Sequence, residues 1–265
     1  MRLDQFLTEK HMFESRNKAA AAIREGKVLV NKRIVCKTSF TVKETDDVLY
    51  KESEPVYVAR SAKKMLRAFD VFDLNWKDYI IADLGASTGG FCQVLLEKGA
   101  KKIYAIDVGT AQLHSLIAKD QRVINMEKTN AKTVCAALFP DPIQAITADL
   151  SFISITQVLP QIYQTLIKNG EAILLVKPQF EAGKEHLNKS GVVTDLNVHQ
   201  KVLKKIIDQS FREGFSVKGI SFSGLPGECG NREYLLYLIK GYAPFSITDS
   251  MIRESVYYNE RGGII

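Results

Sequence analysis

Several features that would point directly to a function are missing from this chain of 265 residues. Its four cysteines, Cys36, Cys92, Cys135 and Cys229, form no CxxC pair, so neither a zinc site nor a disulfide framework is predicted. No run of about 18 apolar residues occurs, and the first residues lack an apolar segment of signal-peptide length. We therefore expect a cytoplasmic protein with free, mostly buried thiols and no membrane partner.

An excess of positive charge is also missing outside one segment. The net charge is +6, and residues 10–37 alone contain eight lysine and arginine residues against two glutamates. The pattern there predicts a short helix that begins after Ser15, a turn at Gly26 and then a strand. A basic helix of this kind can present cations to the phosphates of RNA. An ordinary solvated basic helix is the alternative on charge alone.

The order of residues in this segment is more specific than its charge. The stretch "RLDQFL…SRNKAAAAIREGKVLVNKRIVCKTSFTVKETDDVLY" resembles the S4 RNA-binding domain, a small α+β fold, over residues 2–50. The family pattern usually has glycine where this chain has Lys32. The resemblance implies that RNA is bound by Arg2, Arg16, Lys18, Arg24 and Lys27.

After "KESEPVYVAR", strand-like and helix-like stretches alternate to the end of the chain. "YIIADLG" is the first predicted strand, "GGFCQVLLEKGA" a helix and "KKIYAIDVG" the second strand. "IQAITADLS", "EAILLVKP" and "REYLLYLIK" are later strands, and "VHQKVLKKIIDQSFREG" is a helix. This alternation predicts an α/β fold whose parallel sheet is covered on both faces and binds ligands at the carboxyl ends of its strands.

The loop "DLGASTGGF", residues 83–91, joins the first strand to its helix. Its glycines let the backbone approach a ligand closely, but the dinucleotide fingerprint G-x-G-x-x-G and a P-loop lysine are both missing. Asp107 ends the second strand, where a carboxylate can accept both hydroxyls of a ribose, although it could instead cap the next helix. A loop without phosphate-binding features next to a ribose-binding acid points to S-adenosylmethionine.

The same loop also spells G-x-S-x-G, the nucleophile elbow of serine hydrolases, at residues 85–89. Asp149 and either His186 or His199 follow in the order that such a triad needs. The elbow would, however, follow the first strand of its domain, so no earlier strand and loop could supply the second oxyanion donor. This position disfavours a hydrolase.

The stretches "YVARSAKKM", "DLGASTGGF", "IDVG", "ADLSFIS", "LLVKPQFEAG" and "GNREYLLYL" carry a second resemblance. They resemble, in order, FtsJ-type ribose 2′-O-methyltransferases, and an S4 domain before this one is the layout of the hemolysin A-like (TlyA) rRNA methyltransferases. The resemblance implies a Rossmann-like class I methyltransferase with a mostly parallel seven-stranded sheet. The implied organisation is an S4 domain at 1–54, a linker at 55–59, a methyltransferase domain at 60–245 and a C-terminal tail at 246–265.

The family's K-D-K-E tetrad falls on Lys64, Asp149, Lys177 and Glu233, with Lys63 adjacent to the first position. Methyl transfer from a sulfonium to a ribose hydroxyl needs alignment and a base, and no metal. A lysine amine serves as base more readily where water is partly excluded and a second cation lies nearby. We expect Lys177 to be the base, Lys64 to be that cation, and the two carboxylates to orient the amines. Pro178 holds Lys177 in extended backbone at the strand end.

Other methyl acceptors fit less well. Enzymes that methylate base amines usually carry an N/D-P-P-Y/F motif after this strand, whereas the chain has "DLSF" at residues 149–152. Phe152 could stack on a flipped nucleotide, or belong to the core. The name hemolysin suggests a pore former, but no lytic helix is predicted.

The sequence thus predicts a methyltransferase that acts on ribosomal RNA or ribosomal subunits, with cytidine as the target that the family implies. The alternative is a ribosome-binding S4 protein whose methyltransferase fold is inert. The predicted S-adenosylmethionine site consists of Asp83, Gly85, Ser87, Gly89, Gly90, Phe91, Asp107 and Asn130.

Overall fold

In the computed structural model, the described residues are 1–13, 15–24, 26–50, 57–227, 230–241, 247–259 and 263–264. The chain divides into two compact units, Met1–Val56 and Tyr57–Ile265. The first two residues of the predicted linker, 55 and 56, lie outside the described residues, and so does Cys229. The exact limits of the predicted domains therefore stay predictions.

The first unit packs two helices against a small antiparallel sheet. Ser15 accepts a hydrogen bond from the amide of Lys18 at 3.3 Å, as a residue that caps the start of a helix does. Gly26 follows the same helix with a φ of +71°, in the left-handed region that glycine tolerates. The elements are α1 (Leu3–Glu9), α2 (Arg16–Arg24), β1 (Val28–Val30), β2 (Arg33–Ile34) and β3 (Val48–Tyr50), with sheet order β2-β1-β3.

The second unit is built on a seven-stranded sheet of order β6-β5-β4-β7-β8-β10-β9. Strands β4 to β8 pair in parallel, while β10 is antiparallel to both β8 and β9. The mostly parallel seven-stranded sheet predicted from the sequence is confirmed. The strands are β4 (Ile80–Leu84), β5 (Lys102–Ile106), β6 (Val123–Met126), β7 (Ile143–Ala148), β8 (Leu166–Val176), β9 (Phe215–Phe222) and β10 (Tyr234–Lys240).

Helices cover both faces of this sheet, which explains why its central strands are apolar on both sides. Met65 and Val94 pack on one face, and Ile162 and Val202 pack on the other. The helices are α3 (Ala62–Phe72), α4 (Gly90–Glu97), α5 (Ser115–Ala118), α6 (Leu159–Thr165), α7 (Pro178–Glu181), α8 (Leu196–Arg212) and α9 (Asp249–Tyr257). Short 3-10 helices span Ala131–Thr133, Ala136–Leu138, Ile155–Gln157 and Lys184–His186, and β11 (Tyr258–Asn259) pairs with β12 (Gly263–Ile264).

Two sequence-based expectations need correction. The segment 246–265 is not simply a tail, because α9 places Ile252 and Val256 in the hydrophobic core. The described thiols are not mostly buried either, since Cys92 is buried whereas Cys36 and Cys135 are exposed. Both exposed cysteines lie outside the regular helices and strands, where side chains are less often enclosed.

Among the described residues, no helix is long and apolar enough to cross a bilayer.

Candidate active site

The glycine loop after β4 lies tightly against its neighbours. The amides of Gly85 and Ala86 both donate to the carbonyl of Ile106, at 2.8 and 3.0 Å. Gly85 has a φ of +80°, and a Cβ atom there would lie 2.5 Å from the carbonyl oxygen of Asp149. Only glycine satisfies both constraints, so Gly85 fixes the distance between this loop and the end of β7.

The next glycines bring the start of α4 close to the segment before α3. Gly89 has a φ of +92°, and a Cβ at Gly90 would collide with the hydroxyl of Ser61. Phe91, which follows them, is buried in the core between α3 and the sheet. Gly89 and Gly90 therefore set how closely α4 packs against its neighbours.

Asp107 lies at the carboxyl end of β5 with both carboxylate oxygens in use. Oδ2 accepts from the amide of Ser87 at 2.9 Å, and Oδ1 accepts from the amide of Gly109 at 2.8 Å. A carboxylate offers about four acceptor sites, so two backbone hydrogen bonds leave it able to accept from ligand hydroxyls. Asp107 thereby ties the glycine loop to the loop after β5.

Asp83 lies behind the loop and lines neither of the two cavities described below. Its side chain is fully buried and accepts hydrogen bonds from Thr147 Oγ1 at 2.7 Å and from Cys92 Sγ at 3.2 Å. Burial is the main cause that raises the pKa of Asp83 to about 6, and the nearby Asp149 and Asp107 add to the rise. Any effect of Asp83 on a ligand would therefore act through other residues.

A cavity of about 590 Å³ opens at the carboxyl ends of β4, β5 and β7. Of the predicted cofactor-binding residues it brings together Gly85, Ser87, Asp107 and Asn130. The side chain of Asn130 accepts from the amide of Lys132 at 3.0 Å, which holds the following 3-10 turn at the cavity wall. Gly89, Gly90 and Phe91 do not line this cavity.

The four tetrad side chains form two ion pairs. Lys64 Nζ lies 2.5 Å from Glu233 Oε2, and their residues are 7% and 3% exposed. Lys177 Nζ lies 2.7 Å from Asp149 Oδ1, an oxygen for which no described group provides well-aligned hydrogen-bond geometry. Each buried ammonium thus faces a carboxylate of its own, and the four formal charges cancel.

These pairs follow from the sheet topology. Asp149 and Lys177 come directly after β7 and β8, which are parallel neighbours in the sheet, so their side chains leave the sheet at the same edge. Glu233 directly precedes β10, the antiparallel neighbour of β8, which brings it to that edge as well. The buried lysine of the tandem in α3 is Lys64, whereas Lys63 is exposed.

All four tetrad residues line a second cavity of about 680 Å³. Gly85, Ser87, Asp149, Ser151 and Phe152 line both cavities, so the two adjoin along the loops after β4 and β7. Phe91 and Arg60 contribute to the second cavity alone. A ligand in the first cavity therefore has a route to the lysine pairs in the second.

The loop after β7 contains two further residues of note. Lys177 Nζ donates to Ser151 Oγ at 2.9 Å, a contact that the sequence reasoning missed although Ser151 lies only two positions after Asp149. Phe152 is 91% exposed, with its ring centroid 5.2 Å from that of Phe180. Phe152 is therefore not a core residue. Its φ of +63° is uncommon for a bulky side chain.

The hydrolase alternative finds no support in this geometry. His199 is buried, and its ring nitrogens lie 2.8 Å from Tyr234 Oη and from the carbonyl of Val193. His186 lies in a 3-10 helix next to Glu185. Among the described residues, no histidine lines a cavity that contains Ser87.

Two of the predicted RNA-binding residues of the first unit, Arg2 and Arg16, share one carboxylate. Asp4 accepts two hydrogen bonds from Arg2, both at 3.0 Å, and one from Arg16 at 3.1 Å. The hydrogen bonds from Arg2, followed by the contacts with Arg16, lower the pKa of Asp4 to about 2. Lys18 and Arg24 lie on the exposed side of α2, and Lys27 follows it half-buried.

Comparisons with known proteins agree with this architecture. The FtsJ-like methyltransferase family model matches residues 57–240, and the S4 domain model matches residues 1–48. A Bacillus subtilis protein named "Putative rRNA methyltransferase YqxC" is 40% identical over 89% of this chain and 85% of its own length. The Mycobacterium tuberculosis "16S/23S rRNA (cytidine-2'-O)-methyltransferase TlyA" is 35% identical over 89% of each chain.

A solved structure extends the likeness to three dimensions. The structure titled "Putative hemolysin from Streptococcus thermophilus" covers 97% of this chain and 94% of its own, with a TM-score of 0.74 and 36% identity. The two family models together cover both units, and the relatives and this structure each span both. The chain therefore belongs to the FtsJ-like methyltransferases, in the S4-containing TlyA or hemolysin A-like family.

Proposed function

We propose that this protein transfers a methyl group from S-adenosylmethionine to a ribose 2′-hydroxyl of ribosomal RNA, with cytidine as the target nucleoside. One observation carries the proposal: the complete lysine–carboxylate tetrad lines a cavity that adjoins the cavity with Asp107 and the glycine loop. The TlyA relative is named for this reaction on cytidine of 16S and 23S rRNA. We further propose that the enzyme acts in the cytoplasm, where such a substrate is available.

The residues of the first cavity fit S-adenosylmethionine. Two carboxylates, Asp107 and Asp149, line it beside one lysine, Lys132, and this excess of negative charge favours a cationic ligand over a phosphorylated one. Gly85 lets the chain approach a ligand without a Cβ in the way, and Asp107 has acceptor capacity left for ribose hydroxyls. When bound, this cofactor supplies an electrophilic methyl group on a sulfonium.

The protein's own part is to orient the acceptor and to remove a proton from its 2′-hydroxyl. Lys177 is the proposed base, because its amine lines the second cavity and is held by Asp149 at 2.7 Å and Ser151 at 2.9 Å. The Lys177 nitrogen accepts the hydroxyl proton, and the 2′-oxygen keeps the electron pair that makes it the nucleophile. Lys64 and Glu233 line the same cavity and are the proposed residues that fix the position of the ribose.

Phe152 is the proposed platform for the target base. An exposed aromatic ring in a sparsely populated backbone conformation, at the border of both cavities, is a feature that folding alone does not require. Its ring can stack on an unpaired base, because every base has a π face. Stacking there would place the attached ribose near Lys177.

The first unit is the proposed docking module for the RNA. Arg2 and Arg16 are held by one carboxylate, so their guanidinium groups are ordered before RNA binds. Contacts from these cations to phosphates give salt-sensitive binding with little sequence preference. Selection of the nucleotide would then rest on the second cavity.

Transfer of labelled methyl groups to purified ribosomal subunits, followed by mapping of the modified nucleoside, tests the proposal. We expect 2′-O-methylcytidine with the unchanged protein and none with Lys177→Ala, whose S-adenosylmethionine affinity should stay within a few-fold. Equilibrium dialysis with labelled cofactor tests the alternative of an inert fold, because an inert fold would retain none. A modified base in place of a modified ribose would refute the proposed reaction.

A further inference from the structure

The short helix α7 begins directly after the proposed base, Lys177, and ends at Glu181, a buried carboxylate to which the proposed mechanism gives no part. Glu181 Oε2 accepts a hydrogen bond from Ser154 Oγ at 2.6 Å, and Oε1 accepts one from the amide of Ile155 at 2.7 Å. Burial raises the pKa of Glu181, so its enclosure carries a cost that these hydrogen bonds offset.

Both of these donors lie at the far end of the loop that follows β7, residues 149–155. The near end of the loop is fixed by the sheet, where the amide of Asp149 donates to the carbonyl of Leu84 at 3.0 Å. Between the two ends lie Ser151, which accepts from Lys177, and the exposed Phe152. Glu181 therefore supplies two of the hydrogen bonds that anchor this end of the loop, beside the burial of Ile155 in the core.

We propose that Glu181 is a positioning residue for the methyl acceptor: its carboxylate anchors the end of the 149–155 loop and so sets the places of Ser151 and Phe152 relative to Lys177. This inference rests on the proposed function. Lys177 directly precedes α7 and Glu181 is its last residue. The same short helix therefore holds the middle of the loop through Ser151 and its end through Ser154. A shift of about 1 Å in groups that align a reaction can cost about a hundredfold in rate.

Substitution of Glu181 separates this role from a general effect on folding. Glu181→Gln keeps the shape, can accept from the Ile155 amide and can donate to the Ser154 hydroxyl, which is able to accept. Glu181→Ala removes both hydrogen bonds. We expect Glu181→Gln to keep kcat within about threefold of the unchanged enzyme, and Glu181→Ala to lower it about tenfold or more. The dissociation constant for S-adenosylmethionine should rise by a smaller factor than kcat falls, because Asp107 and the glycine loop keep their places and only the wall that contains Ser151 and Phe152 shifts.

Asp141→Ala is the matched control. Asp141 also accepts two side-chain hydrogen bonds, from Lys102 and Tyr104, but it precedes β7 and so lies at the opposite edge of the sheet. We expect this control to lower the melting temperature without lowering kcat. If Asp141→Ala lost as much activity as Glu181→Ala, general destabilisation would explain the loss of kcat in both variants. This result would overturn the inference.

A double-mutant cycle with Ser151→Ala tests the route by which Glu181 acts. If Glu181 works by placing Ser151, the two losses in kcat should overlap, and the double variant should be hardly slower than the worse single variant. Losses that multiply in full would refute this route.

Hydrogen exchange at the amide of Ile155 gives a readout that needs no activity. Glu181→Ala should raise its exchange rate by about tenfold or more relative to the unchanged protein, and Asp141→Ala should not. If the unchanged protein methylates no ribosomal RNA, the proposed function fails, and this exchange measurement still decides whether Glu181 anchors the loop. Equal exchange in all three proteins would overturn the anchor.

Discussion

Replacing Gly85 by alanine tests whether the glycine loop sets the position of Asp149. The added Cβ would lie 2.5 Å from the carbonyl oxygen of Asp149 and 3.1 Å from Leu150 Cδ2. The side chain of Leu150 can rotate away, but the Asp149 carbonyl belongs to the backbone at the end of β7. The amide of Asp149 donates a hydrogen bond to the carbonyl of Leu84 at 3.0 Å, so the end of β7 resists a displacement of this carbonyl.

Two terms contribute to the expected loss of stability. A φ of +80° costs an alanine about 1 kcal/mol, and relief of the overlap with a backbone atom adds about 1–3 kcal/mol. Gly191→Ala is the matched control, because Gly191 has a φ of +74° with no atom within 4 Å of the added Cβ. The control should lose only about 1 kcal/mol. The difference between the two variants therefore measures the overlap alone.

Urea unfolding followed by tryptophan fluorescence measures both losses. The chain has one tryptophan, Trp76, which is buried in the second unit and so reports on the unit that contains both glycines. Gly85→Ala should also weaken S-adenosylmethionine binding, since it displaces a residue that lines both cavities. If Gly85→Ala were no less stable than Gly191→Ala, the close approach of the loop to Asp149 would be refuted.

The remaining predictions concern charge and exposure. Asp83→Asn should make stability less dependent on pH. Burial raises the pKa of Asp83 to about 6 in the folded state, so Asp83 stabilises the fold below about pH 4. This contribution of about 3 kcal/mol is lost as pH rises through 6. Urea unfolding at about pH 4 and above pH 6 measures this change. An equal change in the free energy of unfolding with pH for both proteins would contradict the prediction. Phe152→Gly should lower rRNA methylation without lowering the free energy of unfolding, because it removes an exposed ring and relieves a positive φ; a destabilised variant would refute this. Asp107→Ala should weaken cofactor binding about tenfold or more in equilibrium dialysis, and unchanged affinity would disprove its ribose role. Reversal of Arg16 and Lys18 to glutamate should weaken RNA binding and spare cofactor binding, and RNA affinity maintained at moderate salt would remove the docking role of the first unit.

The strand ends were the part of the site that sequence reasoning could locate. An apolar run followed by a charged residue predicts a strand that ends at the ligand edge, and Asp149 and Lys177 lie as that rule places them, after the parallel neighbours β7 and β8. The rule works because parallel neighbours end at the same edge whatever the intervening segments do. Pairing across long separations does not follow from any local pattern: Lys64 and Glu233 are 169 positions apart.

Burial of single side chains was equally hard to predict. Asp83 stands beside the loop glycines in the sequence. Alternation along β4, however, points its side chain at the face of the sheet that α4 covers, where Thr147 and Cys92 enclose it. "DLSF" did not distinguish an exposed Phe152 from a core residue, because the left-handed φ that turns the ring outward has no local signal here. Glu181 carries no signal either, since a glutamate at the end of a short helix is ordinary.

The pairing of the tetrad shows how the proposed base, Lys177, is held beside the cofactor cavity. The sequence predicts that Lys64 is the cation near Lys177 and that the carboxylates orient the two amines, and in the structure Lys64 lies 2.5 Å from Glu233. Asp149, the partner of Lys177, lines the cofactor cavity as well as the tetrad cavity. A cationic ligand in the cofactor cavity and the ammonium of Lys177 would therefore face the same carboxylate, so the two cavities share one charged group of the tetrad.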